Sequence, residues 1–326
     1  MNAVAPHQGK IFRNPYPGFE PRGFKDFLQW QRDRRNGQAP SKPQQYHFPV
    51  IENDGAFLRE NREHFTVTWI GHSTTLIQIG GCNILTDPIF SERCSPVSWS
   101  GPKRHLPPSP QFDHLPRIDF VLLSHDHYDH LDKPTIKKLG NQPFYITPLR
   151  VGKILQSFGI DPKRIVERDW WQSVEMEGLQ FHCTPAQHFS GRGVHNRNGT
   201  LWCSWAVLGK QYRLYFGGDS GYFPGFKEIG EKFGRFDLAL LPIGAYLPRW
   251  FMSPVHMDPV QSLQAFIDVR AERMLAIHWG TFDLADEPLD EPPRLLRAAA
   301  ESKNIGPARV WIFQPGETHR LDENIT

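Results

Sequence analysis

The sequence predicts one α/β domain built from layered sheets with helices on the outside. Apolar runs typical of buried strands alternate with segments of helical spacing from about residue 65 onward. No change in composition divides that stretch, and 326 residues are enough to bury a large core. Hydrophobic residues make up 39% and charged residues 22% of the chain, which is ordinary for a soluble globular protein.

Turn and capping residues set the bounds of the predicted elements. Gly80 and Gly81 predict a hairpin turn, and Asp132 is a suitable N-cap for a helix that ends at Gly140. Prolines and aspartates open two further helices. The predicted strands are 65–69, 75–79, 83–86, 118–123, 144–146, 179–183, 202–208, 212–216, 236–241, 274–277 and 309–313. The predicted helices are 132–140, 148–159, one that begins at 258, and 294–302.

Residues 1–62 differ from the rest, because they are rich in Pro, Gly, Arg and Gln and carry little regular pattern. We expect an N-terminal extension that wraps a hydrolase domain formed by residues 63–326. Within it, 24–30 has the apolar spacing of a short helix. We expect this helix to dock on the core, and the alternative is an amphipathic helix that touches lipid.

Charge, cysteines and hydropathy exclude several classes of protein. The net charge is +2 and no dense run of Lys and Arg exists, which argues against nucleic acid as a partner. The four cysteines form no C-x-x-C pair and are expected to be reduced core thiols. No signal peptide and no apolar run of about 18–20 residues are visible. We therefore expect a cytoplasmic protein whose membrane contact, at the inner face, would be peripheral.

The most informative stretch is Ser-His-Asp-His-Tyr-Asp-His at 124–130, which directly follows the apolar strand 118–123. Imidazole and carboxylate side chains together suit zinc, iron or manganese. His125 and His127 have the spacing that points two rings the same way from an extended backbone. Asp129 and His130 follow after the chain turns, so they can face a second point. The H-x-H-x-D-H motif therefore predicts ligands for two metal ions.

Three distant residues repeat the order of apolar strand, turn and metal-competent side chain: His188, Asp219 and His278. Taken alone, they would more often be a surface histidine, a turn residue and a buried core histidine, respectively. Together with the motif they complete a dinuclear site at one sheet edge. We assign His125, His127 and His188 to the first metal ion. We assign Asp129, His130 and His278 to the second, with Asp219 bridging the two ions.

This order of ligands resembles that of the metallo-β-lactamase superfamily, whose fold is a four-layer αββα sandwich. Further segments are similar to the branch that contains N-acyl-phosphatidylethanolamine-hydrolysing phospholipase D. The segments that carry this similarity are Asn14-Pro15-Tyr16-Pro17, Thr68-Trp69-Ile70-Gly71-His72-Ser73, Leu85-Thr86-Asp87-Pro88-Ile89-Phe90-Ser91, Gly101-Pro102-Lys103-Arg104, 124–132, Pro248-Arg249-Trp250-Phe251-Met252 and Ala276-Ile277-His278-Trp279-Gly280-Thr281.

The resemblance implies a zinc-dependent phosphodiesterase of the phospholipase D type, active in lipid metabolism. It would hydrolyse N-acyl-phosphatidylethanolamine-like phospholipids to N-acylethanolamine and phosphatidic acid, by means of a hydroxide that bridges two divalent metal ions. Zn²⁺ is the expected ion, with Mn and Fe as alternatives. Peripheral contact with a membrane and a homodimer are open alternatives for its assembly.

The resemblance also implies roles for individual residues. Asp129, Asp219 and His256 are the catalytic candidates, and His256 would lie near the phosphodiester. Asp87 would orient a metal-bound histidine from behind; otherwise it is an Asx turn before proline. The expected substrate contacts are Arg249, Trp250, Phe251, Met252 and His256. Simple core packing is the alternative for the three apolar members of that set.

Two other functions remain open from the sequence. One is a metal-dependent hydrolase of a small soluble ester or sugar-phosphate lactone, and the other is a metal-binding scaffold without catalysis. Use of a lipid predicts a long apolar channel that leads to the metal ions, whereas use of a lactone predicts a closed polar pocket.

Overall fold

A computed structural model describes residues 7–17, 20–193 and 196–321. The strands are β1 His7–Gln8, β2 Ile11–Phe12, β3 Thr66–Gly71, β4 Thr74–Ile79, β5 Cys82–Thr86, β6 Phe120–Leu122, β7 Phe144–Pro148, β8 Ile165–Arg168, β9 Ser173–Met176, β10 Leu179–Thr184, β11 Ser204–Leu208, β12 Arg213–Phe216, β13 Phe236–Pro242, β14 Ala271–Ile277, β15 Val310–Trp311 and β16 Thr318–Arg320. The helices are α1 Phe24–Arg35, α2 Ala56–Glu60, α3 Lys133–Leu139, α4 Gly152–Ser157, α5 Gly225–Phe233, α6 Arg249–Met252, α7 Pro259–Asp268 and α8 Glu291–Ser302.

Two mixed sheets of seven strands form the body of the protein, and β1 and β2 form a separate pair. The first sheet has the order β16-β3-β4-β5-β6-β7-β8 and the second has the order β15-β14-β13-β12-β11-β10-β9. In the first sheet β5 to β8 are parallel, and in the second β12 to β15 are parallel. The α/β sandwich predicted from the sequence and its resemblance is thereby confirmed.

The core lies between the sheets, because apolar side chains of both sheets belong to one buried cluster, for example Trp69 and Ile77 with Phe181 and Trp205. Helices α5, α7 and α8 add to that cluster. A second cluster on the other face of the first sheet packs strand residues against α3 and α4. Burial on both faces explains why the central strands read as continuous apolar runs rather than as alternating ones.

Most predicted elements are present, with a few corrections. Gly80 and Gly81 both have positive φ in the predicted hairpin, and Asp132 caps α3 by accepting a hydrogen bond from the Thr135 amide. The helix predicted from 148 begins only at Gly152, because β7 continues through Pro148 beside β8. Eight elements were not predicted from the sequence: β1, β2, β8, β9, β16, α2, α5 and α6.

The N-terminal segment packs against the main body at several points, and its boundary at residue 62 stays a prediction. Phe12 is fully buried in the main core. Trp30 of α1 stacks on Phe251 with 4.9 Å between ring centroids, and its indole Nε1 donates to Asp286. Helix α1 is longer than the predicted 24–30 helix. The side chains of Phe24 and Leu28 on this helix are exposed to solvent.

All four cysteines are buried and none forms a disulfide, as expected for core thiols. Over the described ranges, no helix combines the length and the apolar character needed to cross a bilayer.

Candidate metal centre

The seven predicted ligands come together at one edge of the two sheets. The motif 124–130 follows β6 of the first sheet, while His188, Asp219 and His278 follow β10, β12 and β14 of the second. His125, His127 and His188 form one group whose ligand atoms lie within 4.8 Å of one another. Asp129, His130 and His278 belong to a second such group, which also includes His72. The separate strand ends therefore build two adjacent clusters that could each hold a metal ion.

The second group has the dimensions of a tetrahedral metal site. Asp129 Oδ2 lies 3.3 Å from His130 Nε2 and 3.4 Å from His278 Nε2. Asp219 Oδ2 lies 3.2 Å and 3.1 Å from the same two nitrogens. Ligand bonds of 2.0–2.1 Å at tetrahedral angles place ligand atoms about 3.3 Å apart. The two nitrogens are also buried without a hydrogen-bond partner, so they face a space that a cation fits.

Hydrogen bonds on the outer side of each ring fix which nitrogen is free to bind a metal. His130 Nδ1 donates to Asp87 at 2.7 Å, and His188 Nδ1 donates to the Val255 carbonyl at 2.9 Å. In the neutral rings, Nε2 of both residues then carries a lone pair. Asp87, which was predicted to orient a histidine from behind, has its carboxylate against His130.

The first group shows the same arrangement. The Ser124 hydroxyl donates its hydrogen to Asp87, so it accepts the bond from His125 Nδ1 at 2.9 Å. His125 Nε2 therefore faces His127 Nδ1 as a bare nitrogen, at 2.8 Å, and His188 Nε2 approaches the same atom at 3.3 Å. Three imidazole nitrogens that converge so closely are expected where one cation binds between them.

The two groups differ in their electrostatics. Burial and the neighbouring His188 lower the pKa of His127 to about 3, and burial lowers that of His188 to about 4, so both rings are neutral at pH 7. Burial also opposes the charged form of His278, but the carboxylates of Asp219 and Asp129 raise its pKa to about 9. The second group is therefore richer in negative charge and holds a proton when no metal is bound.

His256 lies beside the two groups rather than inside them. Its Nδ1 is 3.9 Å from Asp219 Oδ2, which exceeds hydrogen-bond distance, and that nitrogen has no partner. The ring is also close to those of His188 and His278. His256, His188 and Asp219 form a further group able to hold a metal, so the geometry alone leaves two roles open to His256.

An apolar groove of about 780 Å³ runs from helix α1 to His256. Phe251 and Met252, two of the predicted substrate contacts, line it, and α1 supplies residues of the wall that the sequence analysis did not assign. No carboxylate is among its described lining residues, which are Arg22, Gly23, Phe24, Phe27, Trp30, Phe189, Ser190, Gly191, Gly193, Arg197, Phe251, Met252, Val255 and His256.

Arg249 and Trp250 do not line this groove. The Arg249 guanidinium donates hydrogen bonds to the carbonyls of Tyr246 and His256 and to the Gln261 side chain. These bonds connect it to neighbouring parts of the same chain. Trp250 packs in a small cluster with Phe251. The contact of these two side chains with substrate stays a prediction.

Two residues of the site had no assigned role in the sequence analysis. His72, at the tip of the β3–β4 hairpin, lies 2.9 Å from Asp129. Asn14 accepts hydrogen bonds from the His188 amide and the Trp202 indole, so the extension touches the first group. Both residues lie in segments quoted for the family resemblance, and His72 also follows an apolar strand, which was the available signal.

Comparison with known proteins agrees with this architecture. A family model described as "Beta-lactamase superfamily domain" matches residues 82–279. An uncharacterized protein of Mycobacterium tuberculosis is 48% identical over 290 residues, which are 87% of this chain and 74% of that protein. The N-acyl-phosphatidylethanolamine-hydrolyzing phospholipase D 1 of Caenorhabditis elegans is 36% identical over 317 residues, 91% of this chain and 89% of that enzyme.

Solved structures show the same fold at lower identity. A metallo hydrolase from the archaeon Ignicoccus hospitalis aligns with a TM-score of 0.60 and 22% identity, over 80% of this chain and 100% of that one. An isothiocyanate hydrolase from Delia radicum gut bacteria aligns with a TM-score of 0.62 and 18% identity, over 78% and 98% of the two chains. The chain therefore belongs to the metallo-β-lactamase superfamily of metal-dependent hydrolases, and within it resembles the relatives named N-acyl-phosphatidylethanolamine-hydrolysing phospholipase D.

Proposed function

We propose that this protein is a dinuclear metal phosphodiesterase of the phospholipase D type that acts on N-acylated ethanolamine phospholipids. The observation that carries the proposal is the apolar groove, because it ends at His256 beside the metal ligands. Lipid use predicts such a channel, whereas a sugar-phosphate lactone would need a closed polar pocket. The similarity to the Caenorhabditis elegans enzyme supports the same substrate class.

The ligand set is assigned as in the sequence analysis, with Zn²⁺ as the expected ion. Two bound ions would lower the pKa of a water and withdraw charge from a phosphoryl oxygen. Asp219 Oδ2 lies 3.2 and 3.1 Å from Nε2 of His130 and His278 in the second group and 3.9 Å from His188 Nε2 in the first group, which suits a residue shared between the ions. Ser124 and Asp87 keep His125 and His130 in the tautomers that leave Nε2 free.

His256 is proposed as the residue that handles the leaving group. Its ring is mostly buried at the inner end of the groove, and Nδ1 has no protein partner. Burial lowers its pKa well below the ordinary value, so the free enzyme holds it neutral. A neutral imidazole can take up the proton released from water and pass it to the departing oxygen.

The charge of the groove fits an anionic lipid. Arg22 and Arg197 line it and no carboxylate does, among the residues described there. N-acylation removes the cation of an ethanolamine head group and leaves the phosphate negative, so such a lipid meets no repulsion and needs no acidic partner. Phe24, which lines the groove, and Leu28, one turn further along α1, are 71% and 52% exposed, and we propose that they contact the lipid surface.

The test is a substrate panel of an N-acylated phospholipid, a plain phospholipid, a bis-aryl phosphodiester and a sugar-phosphate lactone. We expect hydrolysis of the N-acylated lipid to be fastest, and lactone hydrolysis without lipid hydrolysis would reject the proposal in favour of the soluble-ester alternative.

A groove variant sharpens the experiment. Phe27→Glu places a charge in the apolar wall, and Phe57→Glu on α2 is the control, since the two phenylalanines are 39% and 45% exposed. Phe27→Glu should slow hydrolysis of the lipid while hydrolysis of the small bis-aryl phosphodiester stays unchanged. Equal effects of both variants on lipid hydrolysis would show that the groove does not receive the substrate.

A further inference from the structure

His72 occupies an unusual position at the tip of the β3–β4 hairpin. Its φ is 55°, in the left-handed region that favours glycine in a two-residue turn, yet its imidazole is 1% exposed. A non-glycine residue held in this conformation requires support from its surroundings and is enriched at functional sites. The turn directs this ring toward the second group of ligands.

Four contacts hold His72 beside that group. Its Nε2 lies 2.9 Å from Asp129 Oδ2. Its carbonyl accepts a hydrogen bond from the His278 amide at 3.0 Å, and the two rings lie 4.1 Å apart between centroids. Its own amide donates to the Thr281 hydroxyl oxygen at 2.8 Å. From the end of β3, His72 thus contacts Asp129, which follows β6 of the same sheet, and His278, which follows β14 of the second sheet.

The hydrogen bond distinguishes His72 from a metal ligand. A carboxylate oxygen only accepts, so Nε2 of His72 carries the hydrogen and has no lone pair to offer on that side. The same carboxylate oxygen lies 3.3 and 3.4 Å from Nε2 of His130 and His278, distances that match ligand atoms around one ion.

We propose that His72 is a positioning residue that fixes the Asp129 carboxylate and the His278 main chain for the second metal ion. The inference rests on the dinuclear centre of the proposed function. Over the described residues, His72 makes no recorded contact with His127 or His188 of the first group. Loss of the His72 imidazole should therefore weaken binding of the second metal ion and leave binding of the first unchanged.

The test compares His72→Phe with His72→Gln in the full chain, using Zn²⁺ alone and a competing chelator. Phenylalanine fills the space without a donor, whereas the glutamine amide can still donate to Asp129. We expect His72→Phe to bind one ion normally and the other about 10–100-fold more weakly, as is typical when the partner of a ligand is lost. His72→Gln should stay within a few-fold of wild type. With Co²⁺ in place of Zn²⁺, only one set of absorption bands should be lost.

His182→Phe on β10 is the matched control and should leave both ions in place. The melting temperature of each metal-free variant shows whether it folds, and His72→Gln keeps the test valid where His72→Phe does not fold. If His72→Phe binds both ions as tightly as wild type, the proposal is overturned. It is also overturned if His72→Gln binds the second ion as weakly as His72→Phe does, since His72 would then be a ligand. A wild-type chain that binds fewer than two ions would instead overturn the dinuclear centre itself.

Discussion

Replacing Asp87 by Asn tests whether a buried carboxylate behind the ligands controls metal binding. Asp87 is fully buried and accepts bonds from the Ser124 amide, the Ser124 hydroxyl and His130 Nδ1. Asparagine keeps the shape but offers one acceptor oxygen and one NH₂ donor. If the NH₂ group faces His130, the ring must accept at Nδ1, which moves its hydrogen to Nε2, the nitrogen that should bind metal.

The size of the effect follows from the contacts. Either His130 changes tautomer or a buried donor loses its acceptor, and an unsatisfied buried group costs about 1–3 kcal/mol. The second metal ion can bind only when Nε2 of His130 is free of hydrogen, so this free-energy cost lowers the affinity for that ion. The expected loss of affinity is about 10–100-fold, which corresponds to roughly 1.4–2.8 kcal/mol.

The assay is a Zn²⁺ titration against a chromophoric chelator, with wild type and Asp126→Asn in parallel. Asp126 is a buried aspartate of the same motif whose Oδ1 accepts a bond from the Gly191 amide, a role that an asparagine oxygen can keep. We expect the control to bind both ions as wild type does. Two ions bound by Asp87→Asn with wild-type affinity would refute the tautomer argument.

Three further predictions concern the ligands and their surroundings. Asp219→Ala should abolish hydrolysis and lower the metal content measured by elemental analysis, because its Oδ2 faces His130 and His278 of the second group at 3.2 and 3.1 Å and His188 of the first group at 3.9 Å; full activity would contradict the bridging role. His256→Gln should slow turnover at unchanged metal content, since Nδ1 is 3.9 Å from Asp219, and a loss of metal would make His256 a ligand. Although burial opposes it, nearby carboxylates raise the pKa of His278 to about 9 in the metal-free protein. The stability contributed by this proton is fully present below the unfolded value of about 6.5 and is lost as pH rises through about 9, so the melting temperature in EDTA should fall between pH 7 and 10. A rise over this range would show that His278 is not protonated there.

The fold could be predicted from the sequence where the signals are local. Some elements depend only on residues a few positions apart, and these appear as expected: the continuous apolar strands, the Gly80–Gly81 turn and the Asp132 cap. Strands β8, β9 and β16 are short and only partly buried, so their composition carries little signal. Pro148 was read as the start of a helix, because the pairing of β7 with β8 cannot be seen in local sequence.

The same limit applies to the candidate site. The predicted metal ligands all follow apolar strands. A sheet brings the ends of such strands together, so the convergence of the ligands could be predicted. His72 and Asn14 depend on contacts 57 and 174 residues away along the chain, which no spacing rule reveals. The substrate contact of Arg249 came from the resemblance and stays a prediction, and local sequence did not reveal the hydrogen bonds of its guanidinium to the Tyr246 and His256 carbonyls and to Gln261.

The pairing of β16 with β3 has a consequence for synthesis of the protein. Thr318 lies opposite Thr68, so the outer edge of the first sheet is completed by a strand made 250 residues later. At about 5–20 residues per second, a ribosome needs roughly 12–50 s to span that distance. During this time β3, whose end carries His72, has an unpaired edge open to other chains. The strand that closes this edge is therefore made only after every predicted histidine ligand, the last of which is His278.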